Sequence, residues 1–142
     1  MDMKLELVLV PVSDVDRAKA FYMEQAGFEL EVDTKVGDSM RVVQLTPPGS
    51  ASSIAIGVGI TDAEPGSYRG THLVVEDIEA ARAELAGRGV PVSDVRHIEA
   101  GEWVTGPDPE HSDYNSFADF ADPDGNTWVL QERGALKPRS ER

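Results

Sequence analysis

The chain has 142 residues, no cysteine, 13 basic and 26 acidic side chains, and a formal net charge of −13. Disulfides, thiolate metal sites and cysteine nucleophiles are therefore excluded, and the acidic balance argues against wrapping nucleic acid or settling on an anionic membrane. Apolar residues make up 40% and charged residues 27%, as in ordinary soluble domains; no apolar run is long enough to span a bilayer, and no basic-then-apolar signal opens the chain, so a cytoplasmic protein is expected.

Residues 4–10 (KLELVLV) read as a strand ending at Pro11. Asp14 then caps a helix of about 12 residues, with Val15, Ala18, Phe21, Tyr22 and Gln25 near one stripe. Gly27 closes it, as a residue free to take positive φ can. Residues 28–33, 40–46 and 52–59 read as strands, punctuated by Gly37-Asp38 and Pro47-Pro48-Gly49. The stretch from Asp62 to Gly70 (DAEPGSYRG) reads as a polar linker. Beyond it, Thr71–Val75 is an expected strand, Asp77 caps a helix running to about Gly87, and Val90–His97 is a further strand. A Gly- and Pro-rich stretch from Ala100 to Asn115 follows as an irregular loop. The last strands, Ser116–Ala121 and Asn126–Glu132, are joined by Asp122-Pro123-Asp124-Gly125, which suits a type I turn. The tail from Gly134 to Arg142 is polar and expected to fray.

The two halves repeat one plan. When Asp14 is laid on Asp77, Val15 meets Ile78, Asp16 meets Glu79, Ala18 meets Ala81, Lys19 meets Arg82 and Ala20 meets Ala83. A repeat of this length in so short a chain predicts two similar modules rather than a solenoid. The expected fold is α+β: two βαβββ modules related by a pseudo-two-fold axis, with sheets curved around a cavity. Module one is expected over 1–61, a linker over 62–69, module two over 70–133, and a polar tail over 134–142. Each sheet should carry its helix on one face and leave the other free, and the groove between the modules is the expected place of function.

Alternation assigns residues to those faces, because successive strand side chains point oppositely. Ile54, Ile56 and Val58 should hold the first helix, leaving Ser53, Ala55 and Gly57 as a row of small residues on the free side. Val8 and Val10 face the helix; Leu5, Leu7 and Leu9 face away. In the second module Leu73, Val75, Trp128 and Leu130 belong to the helix side, which leaves Gly70, His72, Val74, Thr127, Val129 and Gln131 free. A mostly apolar concave surface, roomy at the small residues and dotted with His72 and Gln131, has the makeup of a small-molecule pocket. Arg41 and Gln44 point to opposite faces of the third strand, and the sequence leaves open which of them reaches the cavity.

VPVSDVDRAKAFY with its Gly27-Phe28 exit, HLVVEDIEAARAELAGRGV, and DPDGNTWVLQE stand in order over about residues 5–133. On these pieces the chain resembles the vicinal oxygen chelate superfamily, which includes glyoxalase, extradiol dioxygenases, fosfomycin-modifying enzymes and bleomycin-binding resistance proteins. The resemblance implies a divalent metal in enzyme members, held by His or Glu in the first and last strands of each module. Carried onto this chain, those positions fall on Leu7, on Ala55 (or Gly57 with a slipped register), on Gly70 and on Val129. None of these side chains can ligate Zn²⁺, Mg²⁺, Fe²⁺ or Mn²⁺. No metal and no other cofactor is therefore expected. His72 and Gln131 each lie two residues beyond a ligand position on the same face, but an amide oxygen is a weak donor and Glu132 has the wrong parity to join them.

Other candidates are read from residue type and setting. Trp103, His111, Tyr114 and Phe117 lie in or beside the long loop, where they either stack on a planar or apolar ligand as a flap or anchor the loop to the body. His97 and His111 read as loop histidines. No GxSxG elbow, phosphate loop or dinucleotide fingerprint occurs, and Asp14, Asp77, Asp122 and Asp124 sit where capping and turns explain them.

The expected function is metal-independent binding of an apolar or aromatic organic molecule by Leu7, Leu9, Ala55, Gly57, His72, Trp103, Tyr114, Val129 and Gln131. Two alternatives stay open. One is a glyoxalase-like lyase or isomerase, or a dioxygenase-like enzyme, with His72 as catalytic base or relocated metal ligand. The other is a structural or regulatory module without ligand. The resemblance also implies a homodimer in which modules of two subunits complete each groove.

Overall fold

The computed structural model describes residues 1–134, so the expectation for the tail beyond Gly134 lies outside the described residues. The fold is α+β, with two mixed sheets and few helices. The described chain folds as two compact units: Met1–Arg69 together with Asp122–Asn126, and Gly70–Ala121 together with residues 127–134.

The first unit is built from β1 (Leu7–Leu9), α1 (Val15–Ala20), β2 (Glu29–Val36), β3 (Met40–Thr46) and β4 (Ser53–Val58). Its sheet runs β1-β4-β3-β2, with β1 parallel to β4 and the other pairs antiparallel. The expected first strand, residues 4–10, is trimmed to Leu7–Leu9, where its register with β4 runs from Leu7–Ser53 to Leu9–Ala55. Asp14 caps α1 by accepting the Arg17 amide at 3.0 Å. The helix then widens into a π-helical turn over Phe21–Gln25, closed by the Ala26 amide on the Phe21 carbonyl at 2.9 Å. Phe21 and Tyr22 are adjacent in sequence, yet both are buried there. They meet the sheet side formed by Val43, Leu45, Ile54 and Ile56, all at most 3% exposed. The Tyr22 hydroxyl donates to Asp122 at 2.7 Å, and Asp122 also accepts from the Asn126 amide and side chain, so the turn over Asp122–Gly125 belongs to this unit. The expected turn itself is present, with the Gly125 amide on the Asp122 carbonyl at 3.0 Å.

The second unit comprises β5 (Thr71–Val75), α2 (Ile78–Gly87), β6 (Arg96–Glu99), β7 (Glu102–Thr105), β8 (Phe117–Ala121) and β9 (Thr127–Glu132). Its sheet runs β5-β9-β8-β6-β7, again with the first and last strands parallel. Asp77 repeats the role of Asp14, accepting the Ala80 amide at 3.0 Å. Glu132 adds a second acceptor at this helix start: it is 2% exposed and takes the Ile78 amide at 2.9 Å. The parity that removed Glu132 from the free face has its explanation here. Trp128 stacks on Phe120 (centroids 6.2 Å apart, planes 7° apart) beneath Ile78 and Leu85 of α2. Burying a side chain of this size contributes about 1.5–3 kcal/mol.

Two expectations are corrected in this unit. Residues 90–95 are not strand, apart from a single bridge between Val92 and Phe120, and β6 starts at Arg96. The stretch from Ala100 to Asn115 is not wholly irregular either. Glu102–Thr105 forms β7, an edge strand added to the four-strand plan through a hairpin with β6. Ala100 at φ 51° and Gly101 at φ 79° make the tight reversal that returns the chain.

Candidate functional site

The open face of the second sheet holds most of the polar and aromatic candidates. Pairing aligns Val74, Gln131 and Phe117 in one row across β5, β9 and β8, and His72, Val129 and Asp119 in the next. Phe117 in turn pairs with Arg96 of β6, and Ile98 pairs with Trp103 of β7. Trp103 meets Phe117 edge-on at 5.4 Å between centroids. The Arg96 guanidinium lies 4.8 Å from the Trp103 centroid and 5.8 Å from that of Phe117, and both its terminal nitrogens bond Asp119, at 2.8 and 3.2 Å. The carboxylate holds the cation in place over the rings, so the stack is braced by charge as well as by ring contact. Trp103 nevertheless remains 56% exposed. An exposed tryptophan held rigid by its neighbours presents a flat apolar surface at little entropic cost.

His72 is exposed on the same face, and its Nδ1 lies 2.9 Å from Gln131 Oε1. Gln131 Nε2 donates to the Tyr114 carbonyl at 3.1 Å. Tyr114 is half-buried at φ 65°, its amide donates to the Glu132 carbonyl and its hydroxyl accepts from Arg133. Trp103 is thus on a strand rather than in a flap, Phe117 is on β8, and Tyr114 is anchored to β9. Sequence reasoning passed over Arg96 and Asp119. The available signal was EWVT, four residues of strand-forming character bounded by Gly101 and Gly106, which would have placed a strand and hence a paired neighbour.

The first sheet's open face is simpler. Leu7 pairs with Ser53 and Leu9 with Ala55, while Gln44 pairs with Ala55 and Val42 with Gly57. Gln44 is therefore the open-face residue of β3. Arg41 lies on the helix side, bonded to Asp16 at 2.7 Å and to Asp33 by two nitrogens at 3.0 Å. These bonds hold the Asp33 carboxyl well below the usual carboxylate range, with Lys19 contributing after Arg41. Gly57 has a backbone reason for its missing side chain: a Cβ built on it would stand 1.9 Å from the Arg41 carbonyl oxygen. It also borders an open groove of about 340 Å³ shared with Pro11, Val12, Ser13, Val15, Val58, Gly59 and residues 61–65.

The positions at which a divalent ion would be held by analogy do not fit one. Leu7 and Val129 are half-buried, Ala55 is 1% exposed, and Gly70 uses its amide on the Thr127 carbonyl at 3.0 Å. None carries a side-chain donor, and among the described residues no three His, Asp or Glu side chains gather so as to hold a metal ion.

The other two histidines have structural partners. His97 is not a loop residue but lies in β6, 4% exposed, with Nδ1 2.7 Å from the Gly106 carbonyl. That bond raises its pKa, with Glu99 adding to the effect. His111 does lie in the loop, at φ 50°, and its Nδ1 is 3.0 Å from Glu132 Oε1, which raises its pKa too. Asp108 organises the same loop by accepting from the Glu110 and Ser112 amides and the Asn115 side chain, and its carboxyl is lowered to about 2. Among the described residues no helix is long and apolar enough to cross a membrane.

The chain is similar over nearly its whole length to proteins of one family. Residues 4–130 match the model of the Glyoxalase/Bleomycin resistance protein/Dioxygenase superfamily. The structure of TnmS3, an antibiotic binding protein from Streptomyces sp. CB03234, is 34% identical, with a TM-score of 0.72 covering 92% of this chain and 96% of that one. A member of the same superfamily from Sphaerobacter thermophilus is 29% identical, with a TM-score of 0.73 over 93% of this chain and 98% of its own. The YetH protein of Bacillus subtilis is 27% identical over 128 residues, 88% of this chain and 94% of YetH. Duplicated strand–helix plan, parallel closure of each sheet and family match agree: the chain belongs to the glyoxalase/bleomycin resistance protein/dioxygenase superfamily.

Proposed function

We propose that this protein binds a small aromatic or apolar organic molecule, without a resident metal, on the open sheet face that carries Trp103. The observation that carries the reading is the half-exposed Trp103, braced by Phe117 and by the Arg96–Asp119 pair, with His72 and Gln131 on the same face. An apolar surface with a few fixed polar groups is what a small-molecule site requires. The antibiotic-binding description of TnmS3 supports the same class of activity, with sequestration of an organic compound as its simplest form. Val129 supplies apolar surface on this face, and Tyr114 supports its polar end. Absence of chelating side chains at Leu7, Ala55, Gly70 and Val129 supports metal independence.

The chain has two tryptophans, and Trp128 is 1% exposed, so fluorescence quenching by an added ligand reads Trp103. Titration with naphthalene should give saturable quenching, unchanged after dialysis against a chelator and lost in Trp103→Ala. Linear quenching in the wild type, or quenching that survives in Trp103→Ala, would refute the reading. A second reading, turnover with His72 as base, draws on the exposure of that imidazole; product formation from diketones, thiohemiacetals or catechols that His72→Ala abolishes would favour it. We further propose a cytoplasmic homodimer, for which light scattering at one protomer mass would be the contrary result.

A further inference from the structure

The chain of bonds Tyr114 C=O···Gln131···His72 has a chemical direction. A carbonyl oxygen only accepts, so the Gln131 atom 3.1 Å from it must be the amide nitrogen. The opposite orientation would set two acceptors against each other. Gln131 Oε1 therefore faces His72, and an amide oxygen also only accepts. His72 Nδ1, 2.9 Å away, must carry the proton. In the neutral ring the lone pair is then on Nε2, which has no hydrogen-bond partner among the described residues and lies on the exposed side of β5.

The backbone supports this arrangement at its far end. Tyr114 sits at φ 65°, a conformation seldom used by a side-chain-bearing residue, and is held there by its amide on the Glu132 carbonyl at 2.7 Å. That anchoring aims its own carbonyl at Gln131. Gln131 is pinned in turn between its strand neighbours Val74 and Phe117. From β5 to β8 is two strand spacings, about 10 Å, so a small aromatic molecule seated against the Phe117 ring, whose far side meets Trp103 of β7 at 5.4 Å between centroids, comes within reach of His72.

We infer that Gln131, oriented by the Tyr114 carbonyl, is a positioning residue that locks His72 in the Nδ1–H form. Nε2 is thereby a hydrogen-bond acceptor selecting aromatic ligands that bear a hydroxyl or N–H donor. The inference rests on the binding reading above and adds the chemical class of its ligand. It assigns Gln131 and Tyr114 to specificity rather than to contact with the ligand. A ligand with an acceptor at this point would meet a lone pair, and a protonated imidazole would invert the preference.

The test has two arms. In alkaline buffer that keeps imidazole neutral, long-range ¹H–¹⁵N correlation of the wild type should show His72 protonated at Nδ1, and Gln131→Leu should lose that pattern. 2-Naphthol and its methyl ether 2-methoxynaphthalene, followed by Trp103 quenching, should differ about five- to tenfold in affinity in favour of the phenol. The difference should vanish in His72→Ala and in Gln131→Leu, each of which should bind the two probes with equal affinity. Equal affinity of the two probes in the wild type, or an Nε2–H imidazole, overturns the inference while leaving aromatic binding intact. Failure of both probes to quench Trp103 overturns the binding reading and the inference with it. The wild-type tautomer needs no variant, so it decides the first case even if Gln131→Leu does not fold.

Discussion

Substituting alanine at Gly57 tests whether this glycine is kept for ligand space or for the backbone. Its built Cβ stands 1.9 Å from the Arg41 carbonyl oxygen, 3.0 Å from the carbonyl carbon and 3.1 Å from Ile60 Cδ1. Real Cβ atoms essentially never approach a heavy atom closer than 3.0 Å, so β3 and β4 must part by about 1 Å. Neither can do so freely. Val42 and Gly57 stand opposite each other in the ladder, Arg41 pairs with Val58, and the Arg41 side chain is tied to Asp16 and Asp33. The cost is about 3 kcal/mol, the upper end of overpacking by one methyl, because the obstacle is backbone. For a chain of this size that lowers Tm by about 6–12 °C. Urea and thermal unfolding followed by far-UV circular dichroism would measure it. Gly87→Ala is the control: nothing lies within 4 Å of its built Cβ, and it ends α2, so alanine there should be neutral or stabilising by up to about 1 kcal/mol. If Gly57→Ala stayed within about 0.5 kcal/mol of wild type, the close approach would be no constraint.

Three further outcomes follow from the same geometry. Tyr22→Phe removes one bond to the buried Asp122 carboxylate and should cost about 1.5–3 kcal/mol in urea unfolding; a loss under about 0.5 kcal/mol would show that Asn126 alone satisfies that oxygen. His111 has its pKa raised above the ordinary 6.5 by Glu132, so its ion pair stabilises the fold fully below that value and loses the contribution as pH rises through the raised one. His97 acts with the same sign, hence the informative quantity is wild type minus His111→Gln across about pH 5–9, and a flat difference would contradict the pairing. Arg96→Ala should leave Trp103 without its cation and Asp119 without its partner, weakening naphthalene binding several-fold, whereas Arg96→Lys should restore part of it; identical affinities would mean that the brace does not organise the ring.

Much of this architecture was legible because it is local. Asp14 and Asp77 cap helices through bonds spanning three residues, and Asp122-Pro123-Asp124-Gly125 closes its turn within four. Alternation placed Ile54, Ile56, Trp128 and Leu130 inward, since a strand side chain's face depends only on parity. The same parity put His72 and Gln131 together without knowledge of the fold's details. The empty chelating positions at Leu7, Ala55, Gly70 and Val129 were likewise readable, because donor chemistry belongs to residue type.

What stayed hidden depends on pairing across distance. EWVT has the residue types of a strand, but its register with β6, and hence the neighbours of Trp103, is not fixed by those four residues. Trp103 accordingly stands on a strand, braced beside Arg96, rather than in the irregular loop where it was expected either to flap over a ligand or to anchor the loop, and His97 moved from a loop into the core. Gly57 was read as vacant space, yet its constraint is a carbonyl sixteen residues earlier in the chain, brought close by sheet formation. The direction of the His72–Gln131 bond is of the same kind. The sequence alone determined the duplicated frame and the types of side chain on each face, because periodicity and capping act within a few residues. Only the tertiary structure decided which of those side chains meet, and through the Tyr114 carbonyl which nitrogen of His72 is left to accept, because those are relations between residues far apart in the chain.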